Sequence, residues 1–238
     1  MAGAQGIRAG RAYVELGVGD KLTAGLKRAQ RQLRTFGAGV QQMGMKVAGL
    51  GAAMAAPLVG LAVLLIWCTG LGAVWAFIVG IGVAGGLEPA SSSFALAISS
   101  TIAISGALAA SAMGDKYGRL APVSIALIVQ MVMISLLTGE MSFMRFAATA
   151  AIFQVFWNLT GPYLMGTIAS SDASGRAAVL IPAAQTGGFF LGPAIATFWV
   201  TEGNLYPANV VGIIGCLVAL AIFVPLVMRL NKASAAHE

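Results

Sequence analysis

Polar side chains are scarce in the long apolar stretches of this 238-residue chain, so the few that occur there are the first candidates for chemistry. Gln154 and Asn158 are four residues apart and would share one face of a helix. Pro162 and Tyr163 follow one turn on, Gln185 and Thr186 stand midway along another apolar run, and Gln130 lies in a third. Carboxamides in lipid have two uses. They line a path for a polar solute, or they hydrogen-bond between helices and hold them together. Gln154, Asn158 and Gln185 are the candidates for a cavity lining. Bond-making chemistry has no support: no nucleophile stands beside a base, and there is no metal-ligand spacing and no phosphate-binding glycine loop. No enzyme activity, cofactor or metal is expected. Nor does any span core hold Asp, Glu, Lys or His, the titratable groups that proton-coupled carriers usually need. His237, alone in a polar tail, would be solvated.

The elements that position these groups follow from composition. Hydrophobic residues make up 58% and charged residues 9% of the chain, against about 25% charged in soluble domains, so an all-α integral membrane protein is expected. Residues 57–231 divide into six apolar segments, at about 61–83, 93–113, 120–137, 143–168, 177–200 and 207–230, with a tail at 232–238. Each is close to the roughly 20 residues that cross a bilayer, and a span must be helical to satisfy its backbone. Charge orients them. With the N-terminus inside, thirteen Lys or Arg residues face the cytoplasm and one, Arg145, lies outside, as the positive-inside rule requires. A bacterial inner membrane with both termini cytoplasmic is the expected location. The net charge of +6 therefore reports topology, not nucleic-acid binding. Cys68 and Cys216 fall within apolar runs and are expected to be small packing residues rather than a disulfide. No cleavable signal peptide is expected.

Small residues predict where helices approach closely. Ala95, Ser99, Ala103, Ala107 and Ser111 recur at spacing four, and Gly82-x-x-x-Gly86 and Gly188-x-x-x-Gly192 repeat the device. Pro162, Pro182 and the Gly192-Pro193 pair mark expected helix bends.

One tight cluster of charge separates the second and third segments: Gly114, Asp115, Lys116, Tyr117, Gly118 and Arg119. So short a loop turns sharply, which Gly114 and Gly118 permit by tolerating positive φ. The stretch Ser111-Ala-Met-Gly-Asp-Lys-Tyr-Gly-Arg119 resembles the signature loop of the major facilitator superfamily, G-x-L-A-D-R-x-G-R. Asp115, Gly118 and Arg119 match, Lys116 keeps the charge, and Ser111 stands where Gly is usual. The stretch from Gly175-Arg176 to Gln185, with Gly192-Pro193 beyond, resembles the fifth helix of C-terminal halves in that family. The resemblance covers residues 58–231 and implies half of a secondary transporter that carries a small solute by alternating access. It implies that Asp115 holds the cytoplasmic face of the fifth helix near Arg176. It also implies a second half, either another copy in a homodimer or a separate N-terminal half.

Residues 1–56 differ in character. From Asp20, apolar residues recur at Leu22, Leu26, Ala29, Leu33, Phe36, Val40, Met43, Val47 and Leu50, the spacing of a coiled-coil seam. A coiled coil, a basic amphipathic helix on anionic lipid, and a segment foreign to the membrane part all fit this pattern. The run Arg11–Lys27 with Phe36–Gly39 resembles the start of phage tail tape-measure proteins, which implies a fused helical head. The alternative function is then structural, with the spans serving as anchors or forming a non-functional fragment.

Overall fold

The structure, a computed structural model, describes residues 55–172 and 174–235. The heptad segment from Asp20 to Leu50 lies outside the described residues. Six helices follow in order: α1 (Ala55–Ala84), α2 (Pro89–Met113), α3 (Leu120–Leu136), α4 (Phe143–Ser171), α5 (Arg176–Ala196) and α6 (Tyr206–Ala235). Four of them, α1, α2, α5 and α6, are long and apolar enough to cross a membrane. α3 has 17 residues, and at about 1.5 Å per residue it measures about 26 Å, short of a hydrocarbon core of about 30 Å. α4 is long, at 29 residues, but carries Arg145, Gln154, Asn158 and several hydroxyls along its length. The described residues are therefore all-helical, with four helices that qualify as membrane spans by length and composition.

Local chemistry sets the helix limits. Pro89 opens α2 in the first turn, where a missing N–H leaves no bond unmade. Ser142 caps α4 by accepting from the Arg145 backbone N–H at 3.3 Å. α5 stops at Ala196 instead of reaching residue 200. There Phe198 N–H donates to Ile195 O and Trp199 N–H to Ala196 O, the tighter three-residue pattern that commonly closes a helix. α4 continues past Pro162, and α5 past Pro182 and Pro193.

α1 is the most enclosed of the four apolar helices and α5 the least, with 56% and 11% of their most apolar stretches buried. Glycines explain how so much chain surrounds α1. A Cβ on Gly215 of α6 would lie 2.7 Å from the Gly70 Cα, and one on Gly72 would lie 2.9 Å from the Phe189 Cα of α5. On α5, a Cβ at Gly188 would meet the Cys68 Cβ at 2.6 Å, and one at Gly192 would strike the backbone at Thr69 and Ala73. Each glycine disfavours its helix by about 1 kcal/mol relative to Ala, and backbone-to-backbone packing offsets this in a setting without a hydrophobic drive between helices. Of the two expected glycine pairs, Gly188 and Gly192 pack this way. Gly82 is buried against Ser92 and Phe146, but Gly86 lies beyond the end of α1 at φ +95° and forms a turn.

α2 lies along α4. Its buried row is Ser92, Ala95, Ser99, Ala103, Gly106 and Ala110, whereas Ala107 and Ser111 are exposed. A strict spacing of four drifts about 40° per step around a helix of 3.6 residues per turn. The contact stays on one face by mixing steps of three with steps of four, so it passes to Gly106, where a Cβ would collide with the Val155 carbonyl. Beside it, Ser99 Oγ donates to Ala95 O at 2.7 Å and lies 3.1 Å from Ala147 O across the seam.

Candidate functional site

At one end of the bundle the α2–α3 loop sits on α4. Gly114 and Gly118 take φ of +49° and +64° there. Arg119 reaches across with its Nη1, donating to Gly166 O at 3.1 Å and to Ser170 Oγ. Both acceptors lie in the last two turns of α4, towards the end at which the helix dipole favours a cation. The Asp115 carboxylate holds the other side of the guanidinium, with Oδ1 3.6 Å from Nε. Asp115 is itself 84% exposed, so its pair with Arg119 orients the side chain more than it stabilises the fold. From α4, Tyr163 donates its hydroxyl to Gly114 O at 2.8 Å and satisfies a carbonyl at the end of α2. Between loop and helix lies a cleft of about 230 Å³ lined by Ala110, Gly114, Asp115, Arg119, Pro162, Tyr163 and Gly166.

The loop thus staples α2 and α3 to α4. Asp115 pairs with Arg119, and among the described residues no ion pair joins it to Arg176, which begins α5 with its side chain exposed. Lys116 and Tyr117 also face outward. The α5 end is organised by a different acid. Asp172 accepts from Ser174 N–H at 2.9 Å, Ser174 Oγ at 2.6 Å and Ala177 N–H at 2.5 Å. These bonds, the Ser174 hydroxyl foremost, hold its carboxyl below the usual range. Sequence reasoning passed over Asp172 and Ser170, and placed Tyr163 beside the carboxamides without its bond to the loop. Tyr163, Gly166 and Ser170, spaced three and four apart at the end of α4 that adjoins the loop, carried the signal for a seat.

Deeper in the bundle the carboxamides divide. Gln130 is fully buried and ties three helices: Trp67 Nε1 of α1 donates to its Oε1 at 3.0 Å, and its Nε2 donates to Thr160 Oγ1 at 2.9 Å and Phe156 O at 3.2 Å on α4. It is glue. Gln154 is 5% exposed; its Oε1 accepts from Ser100 Oγ of α2 at 3.0 Å, while its Nε2 is buried without a partner. Asn158 is exposed and donates Nδ2 to the Gln154 backbone carbonyl at 2.9 Å. Gln185 is half-buried on α5, and no hydrogen bond joins it to Gln154 or Asn158 among the described residues. Gln154 is thus bonded to Ser100 of α2 and, through its backbone carbonyl, to Asn158, and neither is bonded to Gln185 among the described residues.

Trp157, between the two, was not singled out by its sequence context. Its ring meets Trp75 of α1 edge-on at 5.6 Å and Phe189 of α5 at 5.6 Å, joining three helices by aromatic contact. At the opposite end of the bundle, Arg145 donates to Leu136 O, Thr138 O and Glu140 O, and the Asn209 amide of α6 to Leu137 O at 2.6 Å. Together they satisfy the carbonyls where α3 ends. The rim arginine is thus a helix cap.

Comparison of the chain with protein-family models, with curated proteins and with solved structures finds no match.

Proposed function

We propose that this chain is a six-span half of a secondary transporter of the major facilitator type, moving a small solute by alternating access. One observation carries the reading. The charged loop between α2 and α3, whose residues resemble the family signature, is built as a mechanical joint: Asp115 orients Arg119, and Arg119 grips the end of α4. A joint of that kind lets α2, α3 and α4 move together as one body, which rocking about a midplane site requires. α3 and α4 complete the six spans in this reading. α3 is short by only a few ångström, a mismatch that costs fractions of a kcal/mol per ångström, and it packs against α4 and α6. Thr149, Gln154, Thr160 and Thr167 of α4 are buried in the bundle, whereas Arg145 and Asn158 are exposed. A second half, supplied by another copy of the chain in a homodimer, closes the pathway.

The test has two arms. Single cysteines at Lys116 and Ser174 should label from one side of sealed vesicles, and those at Thr138 and Asn204 from the other. Proteoliposomes holding the dimeric chain should take up at least one solute from a panel of neutral and charged small molecules. The Asp115→Asn variant should insert normally and transport more slowly. Uptake no faster than in protein-free vesicles across the panel would overturn the transporter reading and leave an anchoring role.

A further inference from the structure

Among the described residues three buried side-chain atoms have no hydrogen-bond partner: Ser92 Oγ in the first turn of α2, Asn209 Oδ1 in the first turn of α6, and Gln154 Nε2, which alone of the three lies midway along its helix. Most intramembrane polar groups are closed on themselves. Gln130 makes three bonds, and Thr69, Ser99, Thr160 and Thr167 each donate to a carbonyl one turn back. Gln154 is different. Its amide is 95% enclosed by its 5% exposure, Ser100 occupies one side, and the Nε2 has nothing to donate to. Turning the amide over would exchange the orphan atom without removing it, because Ser100 would then accept and the oxygen would be left unpaired. A buried polar group left unsatisfied is costly, and such groups persist in native proteins where something else supplies the partner.

The surroundings identify what that partner can be. Asn158, one turn along α4, uses its Nδ2 on the Gln154 carbonyl and keeps its Oδ1 able to accept at an exposed position. Ser100 is exposed on α2 and offers a hydroxyl oxygen beside Gln154. Trp157, next to Asn158 in sequence, has a half-buried indole held by Trp75 and Phe189, an apolar wall for the C–H face of a small molecule. Charge is absent: α1, α2 and α3 carry no Asp, Glu, Lys, Arg or His, and α4 carries none between Arg145 and Asp172. An ion brought here would lose its hydration with no opposite charge to replace it, a penalty of several kcal/mol.

We infer that Gln154 and Asn158 of α4, with Ser100 of α2, form a hydrogen-bonding subsite for an uncharged, hydroxyl-bearing solute. When the α2–α4 seam opens beside Ser100, the now enclosed Gln154 Nε2 donates to a solute oxygen, Asn158 Oδ1 accepts from a solute hydroxyl, and the neighbouring Trp157 offers an apolar wall. This rests on the transporter reading and names the solute class for it.

Sorbitol and gluconate test it, since they share a six-carbon hydroxylated skeleton and differ by a carboxylate. The full chain in nanodiscs is titrated with each while tryptophan emission is followed, and uptake of each is measured in proteoliposomes. Sorbitol should perturb the emission saturably and gluconate should not. Gln154→Met should weaken sorbitol binding by about fivefold to tenfold, the loss of one hydrogen bond or slightly more. The exposed Asn158→Ala, which leaves the packing of α4 intact, should weaken it similarly. Equal binding of gluconate, no saturable response to sorbitol, or a sorbitol response unchanged by both substitutions would each overturn the subsite. Sorbitol binding without uptake would instead overturn the transporter reading and support the subsite. Uptake of gluconate without sorbitol binding would overturn the subsite and support the transporter.

Discussion

Replacing Gln130 by Leu removes the carboxamide that joins α1, α3 and α4, and the cost can be worked from its partners. Thr160 Oγ1 keeps its bond to Phe156 O at 2.7 Å, and Phe156 O keeps that donor, so neither is orphaned. Only the Trp67 indole N–H, on a residue 1% exposed, loses its acceptor. An unpaired buried donor costs about 1–3 kcal/mol. Hydrogen bonds between membrane helices average about 0.6 kcal/mol and reach about 1.7, which moves the expectation for Gln130→Leu to about 1–2 kcal/mol. Trp67→Phe alone strands the Gln130 Oε1 and loses ring packing. In the double variant both partners are gone, so the orphan penalty is not incurred twice, and the cycle should return a coupling of about 1 kcal/mol. Reversible unfolding in mixed micelles, followed by far-ultraviolet circular dichroism, measures all four corners. Additivity within about 0.3 kcal/mol would refute the account of Gln130 as the buried link between α1 and α4.

Other positions give sharper contrasts. Gly192→Val should destabilise the fold by at least the about 1–3 kcal/mol of ordinary overpacking, because the new side chain meets the α1 backbone at Thr69 and Ala73, whereas Gly187→Ala, with its Cβ 3.5 Å from Leu65 Cδ1, should be tolerated; thermal unfolding of the pair decides it. Arg119→Lys keeps the charge but loses the planar fork that meets Asp115 on one side and α4 on the other, so amide exchange in the α2–α3 loop should accelerate; unchanged protection would refute the staple. The cap at Asp172 is pH-dependent. Its carboxyl titrates below the unfolded value, so the stabilisation is present above the unfolded pKa and fades as pH falls through the folded one. Protection factors in the first turn of α5 should drop on acidification in the wild type, and Asp172→Asn, which caps without titrating, should remove that pH dependence.

How much of this was legible in sequence depended on whether the signal was local. The turn at Gly114–Arg119 could be read because short loops need positive φ, and Gly114 and Gly118 provide it. The Gly188 and Gly192 pair could be read because close approach demands the absence of a side chain on one face, wherever the partner lies. The row on α2 was only half legible. Its spacing of four matched Ala95, Ser99 and Ala103 but missed Gly106 and Ala110, since at 3.6 residues per turn a strict step of four drifts off the contact face. Asp172 as an N-terminal cap of α5 was missed because it lies five residues before the amide it caps, outside the usual cap spacing.

The sequence by itself determined an apolar chain of hairpin-linked helices, the sharp charged loop between the second and third, and the absence of charge from the helix interiors. These depend on hydropathy, turn conformation and residue type, each a property of a few neighbouring residues. Only the tertiary structure decided the fate of the carboxamides. Gln130 and Gln154 are the same residue type in similar apolar helices. One has Trp67 and Thr160 brought to it from other helices and is saturated; the other receives only Ser100 and keeps a buried N–H to give. A hydrogen-bond partner that arrives from 30 or 63 residues away leaves no trace in the local pattern, and so glue and site could be told apart only after the helices had packed.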